Sequence, residues 1–321
     1  MSYVFGIDGG GTKTICLLMD ENQVVLGRGE AGPSNYQTLG IESAKQSIQL
    51  AIEQAVISAN INPDSHLKIE AICLGLAGVG RPKDLEILQF LVQNLQLTPN
   101  LPVTRSFGPR NIIISSDSAI ALVGGTGHPV GLAIISGTGS IVFGQNRLGK
   151  TKRVGGWGYI LGDEGSAYNI AIQGLQAALR FYDGRQVHTT LADKFQIHLG
   201  LKNLEDLVEV VYRRGWGVKE IAALAPIVDR AAAEGDLIAE GIMDSAVAEL
   251  VLATKTAISG LFNQTEEFEI VLIGGVWGGE GNCQSRFETA ISAIAPNAQV
   301  IAPRHEPAFG AGLLALNTLN N

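Results

Sequence analysis

The chain is poor in cysteine: Cys16, Cys73 and Cys283 are its only three among 321 residues, and they stand far apart. No CxxC pair is available to grip a metal, and three isolated thiols do not make a disulfide frame. Cys16 and Cys73 lie in apolar stretches and are expected as small buried hydrophobes. Long apolar runs are missing too. None reaches the ~18 residues that a membrane-spanning helix requires, so no membrane partner is expected. The opening MSYVFGID has neither the basic region nor the apolar stretch of an export signal, which makes a cytoplasmic location the expectation. Positive charge is not concentrated anywhere: 23 Lys and Arg face 31 Asp and Glu, a formal charge of −8, which argues against a nucleic-acid partner. The histidines, His66, His128, His188, His198 and His305, keep no metal or triad spacing. No proline-rich or low-complexity linker divides the chain.

What is present is an ordinary globular composition, 46% hydrophobic and 17% charged, over a length that suits two domains. Strand-like runs recur: YVFGI, TICLLM, QVVLGRGEA, AICLGLAG, NIIISSD, VGLAIISG, SIVFGQN, EIVLIGG and AQVIAP. Between them IESAKQSIQLAIEQAVISA and KDLEILQFLVQNL carry apolar residues at three- and four-residue steps, as helices do. From Ser166 to Ile258 the pattern is almost wholly helical, with a break marked by Gly215 and Gly217. Strands mixed with helices predict an α/β protein with mostly buried sheets.

Two segments share one plan. VFGIDGGGTKTICLLMDENQ and GLAIISGTGSIVFGQNR each read as strand, small-residue turn, strand and polar turn, and suggest a duplicated α/β unit. Glycine reaches positive φ cheaply and lets another group approach the backbone. Amides exposed at such a turn, helped by Thr or Ser hydroxyls, form an anion cradle. GGGTKT lacks the spacing of a Walker A loop, and GIDGGG continues into a strand rather than the helix of a dinucleotide fingerprint. A loose hairpin end is the alternative for one tip alone; two tips and a neighbouring carboxylate favour phosphate. Asp8 ends its strand, where a carboxylate is costly unless solvated, hydrogen-bonded or paired with a cation. Beside a triphosphate it would suit Mg²⁺, directly or through water; an Asx turn is the competing role.

NIIISSDSAIAL sets Asp117 between an apolar strand and a helical segment, the carboxyl end of a strand, where open α/β sheets meet ligands. Ser116 could instead cap the helix, with Asp117 favouring its N-terminal dipole. GGWGYILGDEGSAYNIA combines an aromatic residue flanked by glycines with an Asp-Glu pair. Sugars offer hydroxyls to carboxylates and C–H faces to aromatic or glycine surfaces, while a helix-capping segment with a packed Trp157 is the plainer reading.

DGGGTKT near the start, SSDSA at 115–119, SGTGS at 136–140, GGWGYILGDEGSAY at 155–168 and IGGVWGG at 273–279 together resemble the sugar-kinase/actin/Hsp70 superfamily. Within it the chain looks most like the N-acetylglucosamine kinase group of the BadF/BadG/BcrA/BcrD ATPase family, nearly end to end. The resemblance implies an α/β fold of two ribonuclease-H-like domains, of the actin-like ATPase kind, with ATP and Mg²⁺ in a cleft between them. The first domain would span 1–117 with a terminal helix at about 305–321 packed back on it; the second would span 118–304 with a helical insertion. Gly9, Gly10, Gly11, Thr12 and Lys13 would form one phosphate loop and Gly137, Thr138 and Gly139 the other, with Gly274, Gly275 and Gly279 toward the adenosine. Asp8 would serve the metal and Asp117 would be the general base. Asn35, Asp117, Ser140, Gly156, Trp157, Gly158 and Asp163 would meet the sugar. Lys13 and Arg153 are candidate phosphate neighbours.

The implied activity is phosphorylation of a hydroxyl, at C6, of an amino sugar, with N-acetylglucosamine foremost. Ala77, Val79 and Ile141 are apolar where polar sugar contacts would be sought, so glucosamine, N-acetylmuramic acid or another hexose stay open. Two other readings are an ATPase that couples hydrolysis to a partner protein and a ligand sensor without turnover. The dehydratase activators of the broad family hold an iron–sulfur cluster, for which this chain has no cysteine pair. A homodimer is the expected assembly.

Overall fold

A computed structural model describes residues 2–62, 67–79, 82–95, 101–213 and 215–319. His66, of the five histidines, and Gly80, at the end of GLAGVG, lie outside the described residues. The chain divides into two compact units, Met1–Val130 with Pro303–Asn321, and Gly131–Ala302.

In the first unit the strands are β1 (Tyr3–Gly9), β2 (Thr14–Asp20), β3 (Val25–Ala31), β4 (Leu67–Leu76), β5 (Val103–Arg105) and β6 (Ile112–Ser116). The helices are α1 (Tyr36–Leu39), α2 (Ile41–Ser58), α3 (Pro82–Gln93) and α4 (Asp117–Thr126). The sheet runs β3-β2-β1-β4-β5, with β6 also on β4. β1, β2 and β3 form an antiparallel meander, whereas β4 lies parallel to β1, and β5 and β6 parallel to β4. Both faces are covered, which is why TICLLMD is apolar almost throughout instead of alternating. Cys16 and Leu18 turn to the cluster shared with Ile48, Ile52 and Leu88 of α2 and α3. Ile15, Leu17 and Met19 turn to the other face, with Ile120 and Val123 of α4 and the terminal helix Pro307–Asn317. That helix lies so close that a Cβ on Gly6 would stand 2.3 Å from both the Ala308 carbonyl oxygen and the Gly312 nitrogen.

The second unit holds β7 (Gly131–Ser136), β8 (Ser140–Gln145), β9 (Thr151–Gly155), β10 (Phe268–Ile273) and β11 (Ala298–Ile301). Between β9 and β10 lie α5 (Ala167–Tyr182), α6 (Leu191–Leu199), α7 (Leu207–Arg213), α8 (Val218–Ala222), α9 (Ala225–Ala233) and α10 (Leu237–Leu261); α11 (Cys283–Ile294) precedes β11. Its sheet order is β11-β10-β7-β8-β9, an antiparallel meander from which β10 and β11 continue in parallel. This repeats five of the first unit's six strands: β7, β8, β9, β10 and β11 occupy the places of β1, β2, β3, β4 and β6, and β5 has no counterpart. The hairpin similarity in the sequence is the trace of this repeat. The long helical segment enters at the point where the first unit has only α1 and α2.

All nine apolar runs singled out in the sequence are strands. β5 and β9 were not anticipated; VTR is short, and TKRVG is half cationic and partly exposed, so neither carries an apolar signature. The first unit continues to Val130 rather than stopping at Asp117, because α4 packs on the terminal helix. A Cβ on Gly310 would lie 2.1 Å from the Ile120 carbonyl oxygen, so these two helices touch backbone to backbone. Among the described residues, no helix is long and apolar enough to cross a membrane.

Candidate functional site

In the first unit the parallel strands β1, β4 and β6 bring their carboxyl ends to one edge. Asp8 is paired with Gly75 and Leu76 with Ser116, so Asp8 and Asp117 emerge on either side of β4. Ser116 does cap α4: its hydroxyl accepts the Ala119 amide at 3.2 Å. The cap and the candidate base are compatible, because capping fixes Asp117 at the first helical position, where its Oδ1 accepts the Ser118 amide at 2.7 Å. Burial pushes the Asp8 carboxyl up to about 6, with the charges of Asp117 and then Glu306 adding to the effect and Lys13 opposing it. Glu306 is a neighbour the sequence did not reveal; it directly precedes the terminal helix.

Pairing of Gly9 with Thr14 leaves 10–13 as the hairpin tip. The Gly10 amide donates to the Lys13 carbonyl at 3.0 Å, and the Ser34 amide donates to the Gly10 carbonyl at 3.1 Å. The three glycines differ. A Cβ on Gly9 would meet Ser34 Oγ at 2.2 Å and Leu76 Cδ2 at 2.3 Å, so the fold itself demands glycine there. At Gly11 nothing stands within 4 Å, and at Gly10 the nearest atom is 3.8 Å away. None of the three has positive φ. Open backbone, not left-handed geometry, is therefore what Gly10 and Gly11 provide. Thr12 is exposed, and Lys13 reaches 3.9 Å from Glu30 with both side chains about half exposed, a weak pairing. Ser34 Oγ is fully buried beneath this tip with no hydrogen-bond partner among the described residues. Next to it, Asn35 caps α1 by accepting the Gln37 amide at 3.1 Å, and Gln37 Nε2 donates to the Gly78 carbonyl at 2.7 Å. Asn35 thus has the turn role its local sequence suggests and stands beside the loop 77–79.

In the second unit, pairing of Ser136 with Ser140 leaves 137–139 as the tip. It is fastened to the segment before α5: Ser136 Oγ donates to the Gly165 carbonyl at 2.8 Å, Ser140 Oγ to Glu164 at 2.7 Å, and the Ala167 amide to Gly137 at 2.8 Å. Nothing stands within 4 Å of a Cβ on Gly137, whereas a Cβ on Gly139 would lie 2.7 Å from Asp163 Oδ2. Asp163 is 8% exposed, in left-handed backbone at φ 60°, and accepts the Ser140 and Gly158 amides. Burial raises its carboxyl above the ordinary range, those two bonds oppose the rise, and Glu164 adds to it. Gly156 donates to the Ser140 carbonyl at 3.1 Å. Ser140, Gly156, Gly158 and Asp163 therefore form one assembly with the tip. Trp157 is not packed away: it is 66% exposed, with the Arg153 guanidinium 4.4 Å above its ring. Arg153 is thereby an aromatic neighbour of Trp157.

Gly274, at φ 113°, brings its backbone against the same tip, since a Cβ there would lie 2.1 Å from the Ser136 carbonyl oxygen. Gly275 and Gly278 have nothing within 4 Å, while Gly279 is closed off by the Asp229 carboxylate. Asp229 was invisible in the sequence, being one carboxylate in an amphipathic helix.

Thr138 completes the second tip. Within the first unit, the open backbone at Gly10 and Gly11 beside a half-buried carboxyl that a cation would ionise fits phosphate and Mg²⁺; within the second, the open backbone at Gly137 and Gly275 fits part of a nucleotide. The three thiols do not fit a cluster: all are buried, and burial pushes Cys283 up to about 11 and the other two higher.

The model of the BadF/BadG/BcrA/BcrD ATPase family matches residues 5–315. The chain belongs to this family. Other members are similar along their whole length. An N-acetylmuramic acid/N-acetylglucosamine kinase of Clostridium acetobutylicum is 35% identical over 98% of both chains. An N-acetyl-D-glucosamine kinase of Dictyostelium discoideum is 34% identical over 98% of this chain and 97% of its own. Among solved structures, a provisionally named N-acetylglucosamine kinase from Chromobacterium violaceum shares the fold with a TM-score of 0.74, at 24% identity over 98% of each chain. A ROK family glucokinase from Streptomyces griseus, in complex with glucose and AMPPNP, does so with a TM-score of 0.58, at 17% identity over 99% and 100%. Both family membership and fold thus agree with the resemblance read from the motifs.

Proposed function

We propose that this member of the family is an ATP-dependent kinase that phosphorylates the C6 hydroxyl of an amino sugar, N-acetylglucosamine foremost. The observation that carries the reading is whole-length identity of about a third to two kinases of N-acetylated amino sugars. The roles given to individual residues are those the family resemblance implies, and the position of Asp8 and Asp117 at the carboxyl ends of adjacent strands supports them. Asp117 is the base: it accepts the proton of the attacking hydroxyl while the oxygen–phosphorus bond forms and the bond from the γ-phosphorus to the β,γ-bridging oxygen breaks, releasing ADP. The backbone amides at 11–13 and at 138–139 are the candidate donors to phosphate oxygens, those of Gly10 and Gly137 being held within their own hairpins. Asp8 would hold Mg²⁺, directly or through water, and the cation would neutralise charge on the departing phosphate. The open backbone at Gly275, beside the close approach at Gly274, takes the adenosine. Asn35, Trp157 and Asp163 meet the sugar; Asp163, with two amides already bound, retains lone pairs for a hydroxyl.

The test is ADP release measured with glucosamine, N-acetylglucosamine, N-acetylmuramic acid, N-acetylmannosamine and glucose. Turnover highest with N-acetylglucosamine, and a 6-phosphate product, is the expected result. Hydrolysis at the same rate without sugar would replace the kinase with an uncoupled ATPase.

A further inference from the structure

Asp229 lies on α9, in the helical segment that packs around α5 and α10, far in sequence from the loop after β10. It is 8% exposed, and both its oxygens are committed to that loop: Oδ2 accepts the Glu280 amide at 2.6 Å and Oδ1 the Gly281 amide at 3.1 Å. Charge-assisted bonds from backbone amides are about twice as strong as neutral ones, and a buried carboxylate without them would be costly. The loop is shaped around this carboxylate. A Cβ on Gly279 would stand 2.5 Å from each oxygen, and one on Gly281 would stand 2.6 Å from Oδ1. At its other end the loop is tied to the sheet by Trp277, whose indole N–H donates to the Ile134 and Ile273 carbonyls, 3.2 Å each. On either side of Trp277, Gly275 and Gly278 present backbone with nothing within 4 Å. A backbone face meant to meet a flat purine must be held still, and here one end is held by the sheet and the other by a helix.

We propose that Asp229 is a positioning residue for the nucleotide: it locks the 274–281 loop in the conformation that receives the adenosine and touches neither sugar nor phosphate itself. The proposal rests on the reading of this loop as the adenosine contact. Its consequence is selective. Removing the lock should weaken ATP and leave the chemical step nearly intact, whereas a purely structural carboxylate would lower the melting temperature and the active fraction without changing the KM for ATP.

The experiment is steady-state kinetics of Asp229→Asn, with ATP binding followed by calorimetry. Loss of one charge-assisted bond predicts a rise in KM for ATP of at least about tenfold, with kcat within about threefold and the sugar KM within about twofold. Should Asp229→Asn not fold, Gly279→Ala and Asp229→Ala decide the matter. Gly279→Ala pushes against the carboxylate and should raise the KM for ATP in the wild-type background, but much less in Asp229→Ala, where the space is vacant. Equal ATP affinity in folded Asp229→Asn, or an undiminished Gly279→Ala effect in the Asp229→Ala background, overturns the positioning role. Wild-type protein that binds no ATP instead overturns the kinase reading beneath it.

Discussion

The two hairpin tips have the same place in two copies of one strand order, yet they are supported differently. The tip at 10–13 is backed by its own strands and held by two backbone bonds; its exposed end is nearly free of neighbours. The tip at 137–139 is fastened by two serine hydroxyls and an amide to the segment that also carries Asp163. In the first unit the tip is tied to the turn that carries Asn35 by one backbone bond, from the Ser34 amide. In the second, the tip and the segment of Asp163 are one piece. The two units share the strand order, and the backing residues set how closely each tip is coupled to its surroundings.

Substitutions can break or sharpen that contrast. The largest effect belongs to the first unit: Asp117→Asn should lower kcat by at least about a hundredfold while ATP affinity, measured by calorimetry, stays within about twofold. Full activity would remove the base from this residue. In the second unit Gly139→Ala drives a methyl into Asp163; stability should fall by about 1–3 kcal/mol in chemical denaturation, and the KM values for sugar and ATP should rise together. If only one of them rises, tip and sugar segment are not one piece. Asp8→Asn should do the opposite to stability. The carboxyl's folded value of about 6 lies above its ordinary 3.8, so burying it costs nothing below the lower value, and the cost is complete once pH passes the higher one. Metal-free Asp8→Asn should therefore be more stable than wild type by about 3 kcal/mol at neutral or alkaline pH and no more stable in acid; a gain independent of pH would refute the shift. The smallest effect is at the open tip: Gly11→Ala should change stability by less than about 0.5 kcal/mol yet weaken ATP, because the added methyl meets only ligand.

Much of this was legible in the chain. Every buried strand announced itself by apolar runs, and the repeated hairpin foretold the duplicated sheet. Asp8 and Asp117 could be singled out because a carboxylate at the end of an apolar strand is conspicuous. What could not be read depends on contacts distant in sequence. Gly9 and Gly11 look alike in GGGTKT, but only the fold reveals that Ser34 and Leu76 crowd one and nothing crowds the other. Trp157 could have been packed or exposed, and local pattern does not decide it. Glu306 and Asp229 carry no local signal at all; their significance arises from what lies across from them. The expected end of the first unit at Asp117 followed the motif, whereas packing of α4 on the terminal helix carries that unit to Val130.

That helix has a consequence for biosynthesis. It covers one face of a sheet whose strands leave the ribosome before the entire second unit is made. At ordinary elongation rates, roughly ten to thirty seconds pass between emergence of the two. During that interval Ile15, Leu17 and Met19 have only Ile120 and Val123 of α4 beside them on that face, so the half translated first is the half completed last, and its nascent form is the one a chaperone would meet.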